Sequence, residues 1–177
     1  MENQTQDLNP EIEPQIDQNK LNEYLEDLRI EQNFSFAILV GALAALVGAA
    51  LWGLITSLTG YQIGYMAVGV GFLVGMAVRW AGKGIDPQFG YLGAGLSLMG
   101  CLIGNYLGIV FYFAKEANAS FFEAYRMINA LSSVSSVMAQ SFSVMDILFY
   151  GIAIYEGYKF SFRQITEEEI WAKAGVQ

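Results

Sequence analysis

The stretch QNFSFAILVGALAALVGAALWGLITSLTGYQIGYMAVGVGFLVGMAV, residues 32–78, decides the fold because it contains no Asp, Glu, Lys or Arg. It consists largely of Gly, Ala, Leu and Val. One helical crossing of a bilayer needs about 20 predominantly apolar residues. These 47 residues therefore suit two spanning helices with a tight reversal at 59–62. The stretch predicts an integral membrane protein rather than a soluble one.

The formal charge of −8 on this 177-residue chain is concentrated near its N-terminal end. Residues 1–31 hold nine acids against two bases, whereas residues 32–160 balance at zero. The acidity therefore belongs to polar extensions. We predict an acidic cytoplasmic tail at 1–32 and a second cytoplasmic tail at 161–177. Binding to nucleic acid would need clustered cations, so no nucleic-acid partner is expected.

The chain contains no His and a single Cys, Cys101. These counts exclude a disulfide within one chain, a zinc site of Cys and His ligands, and a haem with a His axial ligand. We expect no cofactor and no metal-binding residues. The acidic, amide-rich N-terminus also shows no basic start followed by an apolar run, so no cleaved signal peptide is visible.

The hydropathy pattern predicts an all-α integral membrane helical bundle with a transmembrane domain at 33–160. Four transmembrane helices are expected, at about 34–58, 61–80, 88–114 and 144–160. Residues 119–140 contain pairs of Ser and an apolar residue about every third position. That pattern predicts an amphipathic helix at the membrane interface, with partial re-entry left open. A short amphipathic helix is also expected at 18–32.

The distribution of Lys and Arg predicts the orientation of the chain. With four spans, seven of these cations fall on the side of the two termini and two on the other side. Cytoplasmic loops carry an excess of Lys and Arg, so both termini are expected in the cytoplasm. A fifth crossing at 127–145 would leave four inside and five outside, which this tendency disfavours.

Small residues recur at every fourth position on the first three predicted spans. The rows are Gly41, Ala45, Ala49 and Gly53; Ala67, Gly71 and Gly75; and Gly100, Gly104 and Gly108. In lipid, such rows let helix backbones approach closely and gain dispersion contacts. We interpret them as helix-packing residues inside the bundle. The alternative is that one row binds a second copy of the chain or a foreign membrane helix.

Four polar side chains are predicted near or within the bilayer, where their burial must be compensated. Asn105 is expected to form a hydrogen bond between helices. Asp146 lies at the start of the fourth span, where a carboxylate complements the helix dipole. Arg79 and Glu156 are expected at similar depth, so an ion pair between them is one hypothesis.

No catalytic residues are identified, and we predict that the protein is not an enzyme. A Ser nucleophile would lack its His, and the lysines near the spans lie close to interfaces. The leading hypothesis is a non-enzymatic accessory or assembly subunit that packs through small-residue helix faces. The alternative is a small transporter or channel subunit that uses Asp146 and Glu156. The expected partners of the protein are the lipid bilayer and either a second copy of the chain or another membrane protein.

The segment YMAVGVGFLVGMAVRWAGKG, Tyr65 to Gly84, contains the pattern G-x-G-x-x-x-G-x-A-V-R. It resembles a recurrent core in a family of small, largely uncharacterised bacterial multi-pass membrane proteins with four helices. The fourth span, with Asp-Ile-Leu at 146–148 and Ala-Ile-Tyr at 153–155, looks like that family's final helix. The resemblance covers roughly 34–160.

This resemblance implies a four-helix architecture in the bacterial cytoplasmic (inner) membrane and a structural importance of Gly71, Gly75 and Arg79. It implies no activity. Some members carry an N-terminal zinc-ribbon-like module, but this chain has no Cys or His before Phe34. That module, and any metal role that it would bring, are therefore not expected here.

Overall fold

A computed structural model shows that the chain is all-α and describes residues 16–60, 64–131 and 133–175. These ranges contain eight helices: α1 (Gln18–Ile30), α2 (Phe34–Thr59), α3 (Met66–Gly82), α4 (Pro87–Glu116), α5 (Phe121–Leu131), α6 (Val134–Ser141), α7 (Val144–Phe160) and α8 (Glu167–Ala174). The polar start of the predicted tail, residues 1–15, and positions 61–62 of the predicted reversal lie outside the described residues.

The chain forms two compact units. The bundle unit is Glu31–Arg163 and contains α2 to α7. The terminal unit combines the described parts of Met1–Ile30 and Gln164–Gln177, and therefore contains α1 and α8.

Two helices of the bundle unit, α2 with 26 residues and α4 with 30, are long and apolar enough to cross a membrane. Two further helices, α3 and α7, each have 17 residues. A helix rises 1.5 Å per residue, so these shorter helices are about 26 Å long. Their length lies at the lower end of the range seen for transmembrane helices.

Local sequence explains where the long helices begin and end. The Asn33 side chain accepts a hydrogen bond of 2.9 Å from the backbone N–H of Phe36, which caps α2. Gly60, with φ at 72°, ends α2 in the left-handed conformation that glycine adopts without steric cost. Pro87 begins α4 at a position where its missing N–H costs no helical hydrogen bond.

The predicted interfacial helix at 119–140 is instead two helices, α5 and α6. The break is explained by Ser133, whose Oγ accepts a hydrogen bond of 3.3 Å from the backbone N–H of Ser136 and starts α6. Ser side chains that bond to nearby backbone groups compete with a continuing helix. The second predicted span also starts late, since α3 begins at Met66 rather than near 61.

The described part of the 161–177 tail contains α8, a helix that the sequence analysis did not predict. The backbone N–H of Thr166 donates to Glu169 Oε2 at 3.3 Å, and the N–H of Glu169 donates to Thr166 Oγ1 at 3.3 Å. This reciprocal capping box starts α8. The helix packs against α1. Just before α1, the N–H of Asp17 donates to the carbonyl of Ala174 at 2.8 Å.

The contacts fix the directions of the bundle helices. α2 runs parallel to α4, because Ala45 lies against Gly100 and Ala49 lies against Gly104. α3 likewise runs parallel to α7, because Gly71 lies against Ala153 and Gly75, four residues later, lies against Gly157. Each member of one pair runs antiparallel to its neighbours in the other pair. The four helices therefore alternate in direction along the chain.

The interior of the bundle is built from small and medium residues around Trp52 and Phe89. Many of its large apolar side chains are instead exposed. Examples on three helices are Leu39, Leu43, Leu46 and Leu54 of α2, Phe72 of α3, and Ile147 and Leu148 of α7. A soluble protein rarely exposes so extended an apolar surface. The arrangement places glycine inside and leucine outside.

Candidate functional site

The small-residue row of α2 lies against α4. A Cβ on Gly100 would lie 3.3 Å from the carbonyl oxygen of Ala45, and a Cβ on Gly104 would lie 3.3 Å from the Cα of Ala49. Both distances are tighter than ordinary van der Waals contact. The absence of a side chain at these two positions therefore lets the two backbones meet.

The ends of the α2 row face other helices as well. A Cβ on Gly41 would lie 2.7 Å from Val78 Cγ2 on α3 and 2.8 Å from Leu96 Cδ1 on α4. A Cβ on Gly53 would lie 3.0 Å from both Leu107 Cβ and Phe111 Cδ2. This row is therefore in contact with the bundle interior at both of its ends.

The row of α3 lies against α7. A Cβ on Gly71 would collide with the carbonyl oxygen of Ala153, and one on Gly75 would lie 2.8 Å from Phe160 Cβ and 3.1 Å from the carbonyl oxygen of Glu156. Ala67, in the same row, is fully buried, and its carbonyl oxygen lies 3.9 Å from Cys101 Sγ on α4.

A further close contact, between α4 and α7, was missed by sequence reasoning. A Cβ on Gly157 would lie 2.7 Å from the carbonyl oxygen of Gly93. The hydroxyls of Ser97 and Ser161 donate to carbonyls four residues earlier in the chain, those of Gly93 at 2.7 Å and of Gly157 at 2.6 Å. The same four-residue spacing, extended to Gly93 and Ser97 and to Gly157 and Ser161, would have revealed this contact.

A hydrogen bond between buried side chains also joins α4 to α7. Asn105 Nδ2 donates to the hydroxyl of Tyr150 at 2.8 Å, and these residues are 2% and 5% exposed. The Tyr150 ring meets Trp52 edge to face, with ring centroids 6.4 Å apart. The sequence indicated the need for a partner to Asn105 but not that Tyr150 would supply it.

The other three polar candidates lie apart from this pair. Asp146 is buried, and its Oδ2 accepts a hydrogen bond of 2.8 Å from the backbone N–H of Ser143 at the start of α7. Arg79 and Glu156 are half-buried, and they form no ion pair with each other among the described residues. The hypothesis of an ion pair between these two residues is therefore not supported by the structure.

Ion pairs instead connect the start of α2 with the ends of α3 and α7. Glu31 Oε2 lies 3.0 Å from Arg163 Nη1 and 3.9 Å from Lys83 Nζ. These three residues and Arg79 line a cleft of about 400 Å³, which also includes the exposed ring of Trp80. Arg79, Lys83 and Arg163 therefore lie together at one end of the bundle.

In the described ranges, no group of three or more Cys, Asp or Glu side chains is placed to hold a metal ion. The single thiol, Cys101, is buried between helices. The candidate site thus consists of closely packed glycines and a small buried polar cluster of Trp52, Asn105 and Tyr150.

We predict that Gly71→Ala destabilises the bundle while Gly69→Ala does not. A Cβ at Gly71 meets the backbone of Ala153, which cannot rotate away, whereas a Cβ at Gly69 meets no atom within 4 Å. Overpacking typically costs about 1–3 kcal/mol, and alanine is otherwise the better helix former. Thermal unfolding in one detergent, followed by circular dichroism, measures the difference. Equal melting temperatures for the two variants would contradict the close α3–α7 contact.

We also predict that Tyr150→Phe destabilises the bundle more than Tyr155→Phe. The first change removes the acceptor of Asn105 and leaves a buried amide unpaired, which costs about 1–3 kcal/mol. Tyr155 lies on the same helix and is 58% exposed, so it controls for loss of a hydroxyl. The same thermal assay applies, and matching losses of stability would show that the buried bond contributes nothing.

Comparison of the chain with known protein families, with curated proteins and with solved structures finds no match. The resemblance of residues 65–84 to a bacterial membrane protein family therefore stays a prediction.

Proposed function

We propose that this chain is a multi-pass integral membrane protein whose helices α2, α3, α4 and α7 cross the bilayer. The exposed leucines of α2 and the apolar exteriors of α3 and α7 support this proposal. Lipid tails solvate such side chains, and backbone contact between small residues then provides the packing energy. In this proposal the shorter helices α3 and α7 lie in a slightly thinned bilayer, at modest cost.

The arrangement of the chain ends supports an even number of crossings. α1 and α8 pack together within the terminal unit, so the two ends belong on one side of the membrane. The alternating directions of the four bundle helices agree with four crossings. The excess of Lys and Arg on that side supports a cytoplasmic location for both chain ends. The resemblance of residues 65–84 to a bacterial membrane protein family supports the bacterial inner membrane as the location.

The helices α5 and α6 lie at the membrane interface in this proposal. Ala124 and Ile128 of α5 are buried and belong to a cluster with Val110 and Ala114 of α4. Phe122 and Leu131 of the same helix are 75% and 80% exposed. An amphipathic helix with apolar residues directed outwards is suited to the boundary between headgroups and acyl chains.

The function that the geometry supports best is that of a non-enzymatic accessory subunit that presents the terminal unit to a partner. The small-residue rows pack within the bundle, which leaves the terminal unit as the more suitable docking element. Its sequence carries a net charge of −8, while the bundle unit is neutral. The pairing of α1 with α8 is the observation that carries this proposal, because it gathers the acids of both chain ends in one unit.

A transport role for Asp146 and Glu156 has less support. The Asp146 carboxylate accepts a hydrogen bond from the backbone N–H of Ser143 at the start of α7. This contact is half of a capping box, so the carboxylate has a structural role as a helix cap. Glu156 lies ten residues away on the same helix, at about 15 Å along the axis. No described acidic residue of α7 lies between them.

The accessory role predicts a partner with a basic surface whose binding weakens as salt rises, because exposed charges are screened. Native membranes are extracted in mild detergent, cross-linked and analysed by native mass spectrometry. Changing four exposed acids of α1 and α8 to Gln should reduce the co-purifying partner at least tenfold; they are Glu23, Glu26, Glu167 and Glu168. Glu169 is left intact because it caps α8.

The matched control is Glu116→Gln, which removes an exposed acid from the end of α4 in the bundle unit. This variant should retain the partner. A strictly monomeric protein with no co-purifying species would contradict the accessory role. Retention of a partner by the fourfold variant would show that the acids of the terminal unit do not bind it.

A further inference from the structure

A cleft of about 220 Å³ lies between the C-terminal halves of α2 and α4. Its walls are formed chiefly by Trp52, Thr56, Asn105, Gly108, Ile109 and Tyr112. No residue that lines it in the described part of the chain carries a formal charge. One water needs only about 10–15 Å³ by this kind of measure, so the cleft has room for a small organic molecule.

Three buried polar atoms of this wall have no hydrogen-bond partner in the described part of the protein. They are Trp52 Nε1, Thr56 Oγ1 and Asn105 Oδ1. The three residues are 0%, 7% and 2% exposed. Buried polar groups in native proteins nearly always have a partner, since burial without one costs free energy. The three residues line the same cleft, which makes an occupant of that cleft the candidate partner for all three atoms.

The chemistry of these atoms defines what the occupant must offer. The indole N–H of Trp52 can only donate a hydrogen bond, and the Asn105 oxygen can only accept one. The amide nitrogen of Asn105 already donates to Tyr150. The hydroxyl of Thr56 can do either. A complementary group therefore carries both a donor and an acceptor, and the uncharged wall favours a neutral one.

We propose that this cleft binds a small neutral amphiphile. Its primary amide or hydroxyl group bonds to Trp52, Thr56 and Asn105, and a short apolar chain lies along Ile109 and Tyr112. The tip of a lipid such as a monoacylglycerol and a free solute such as a short amide share this chemistry. Competition between hexanamide and monoolein distinguishes these two sources.

Gly108 keeps this cleft open. A Cβ at this position would lie 3.3 Å from both Oγ1 and Cγ2 of Thr56, and would stand in front of the hydroxyl. The glycine belongs to the small-residue row of α4, but the α2 atoms nearest to it all belong to the side chain of Thr56. Gly100 and Gly104 instead lie against backbone atoms of Ala45 and Ala49. Gly108→Ala therefore narrows the cleft without removing a polar group.

Fluorescence of Trp52 provides a direct measurement. Trp80→Phe and Trp171→Phe leave Trp52 as the sole tryptophan of the full chain. Hexanamide, added to the protein in detergent, should shift the Trp52 emission saturably. N,N-dimethylhexanamide, which has no N–H donor, should bind about fivefold or more weakly, the change expected from one lost hydrogen bond. The lipid source is tested with protein in nanodiscs that contain monoolein, where the displacement of hexanamide by monoolein is measured.

Thr56→Val and Thr59→Val form a matched pair of variants. The first removes the hydroxyl from the cleft wall and should weaken hexanamide binding about fivefold to tenfold. The hydroxyl of Thr59 donates to the carbonyl of Ile55 on its own helix at 2.8 Å, outside the cleft, so its removal should leave affinity unchanged. Gly108→Ala should weaken binding while the melting temperature confirms that the bundle is folded.

Hexanamide binding and its displacement by monoolein together distinguish a free solute from a lipid as the ligand. Binding of hexanamide that monoolein does not displace supports a free solute, and displacement by monoolein supports a lipid. No saturable response to either probe would overturn the proposal, as would equal affinities of the Thr56→Val and Thr59→Val variants. A cleft that holds only ordered waters in a high-resolution structure grown with hexanamide would also overturn it.

Discussion

The bundle depends on direct contact between glycine and the backbone of the facing helix. Gly71 brings α3 to α7 at a distance from the backbone of Ala153 that a Cβ would forbid. Gly100 brings α4 to α2 so closely that a Cβ would be in tighter than ordinary contact with Ala45. In water, burial of large apolar side chains would supply the stabilising free energy. In lipid this stabilising free energy of burial vanishes, because a leucine side chain is as well solvated by acyl chains as by protein. The large side chains can therefore face outwards, and the smallest ones form the contacts.

Close packing of this kind limits what the interior can hold. Buried polar groups in it need a partner, which the amide nitrogen of Asn105 has in Tyr150 and the hydroxyl of Ser97 has in the carbonyl of Gly93. Where the α2–α4 contact relaxes near Thr56 and Gly108, a cleft opens and unpaired polar atoms accumulate on its wall. Packing and recognition thus arise from the same row of small residues.

The sequence predicted the bounds of the apolar helices well, but it predicted poorly which residues contact each other between helices. α2, α4 and α7 begin and end within two residues of the predicted bounds, because charged or capping residues interrupt the apolar runs there. The break before α6 and the presence of α8 were missed, since both depend on single Ser or Thr caps. The partner of Asn105 could not be read from spacing, because it lies 45 residues away on another helix.

The central claim is that the helices alternate across a bilayer, with glycine inside and both chain ends on the cytoplasmic side. Site-specific cysteine labelling with a membrane-impermeant maleimide tests it most directly, with Cys101, which is fully buried, as the unreactive background. Cysteines that replace Lys20, Lys83 and Lys173 should react only in inverted inner-membrane vesicles, and one that replaces Lys115 only in right-side-out vesicles. Labelling of positions 83 and 115 from the same side would contradict the account.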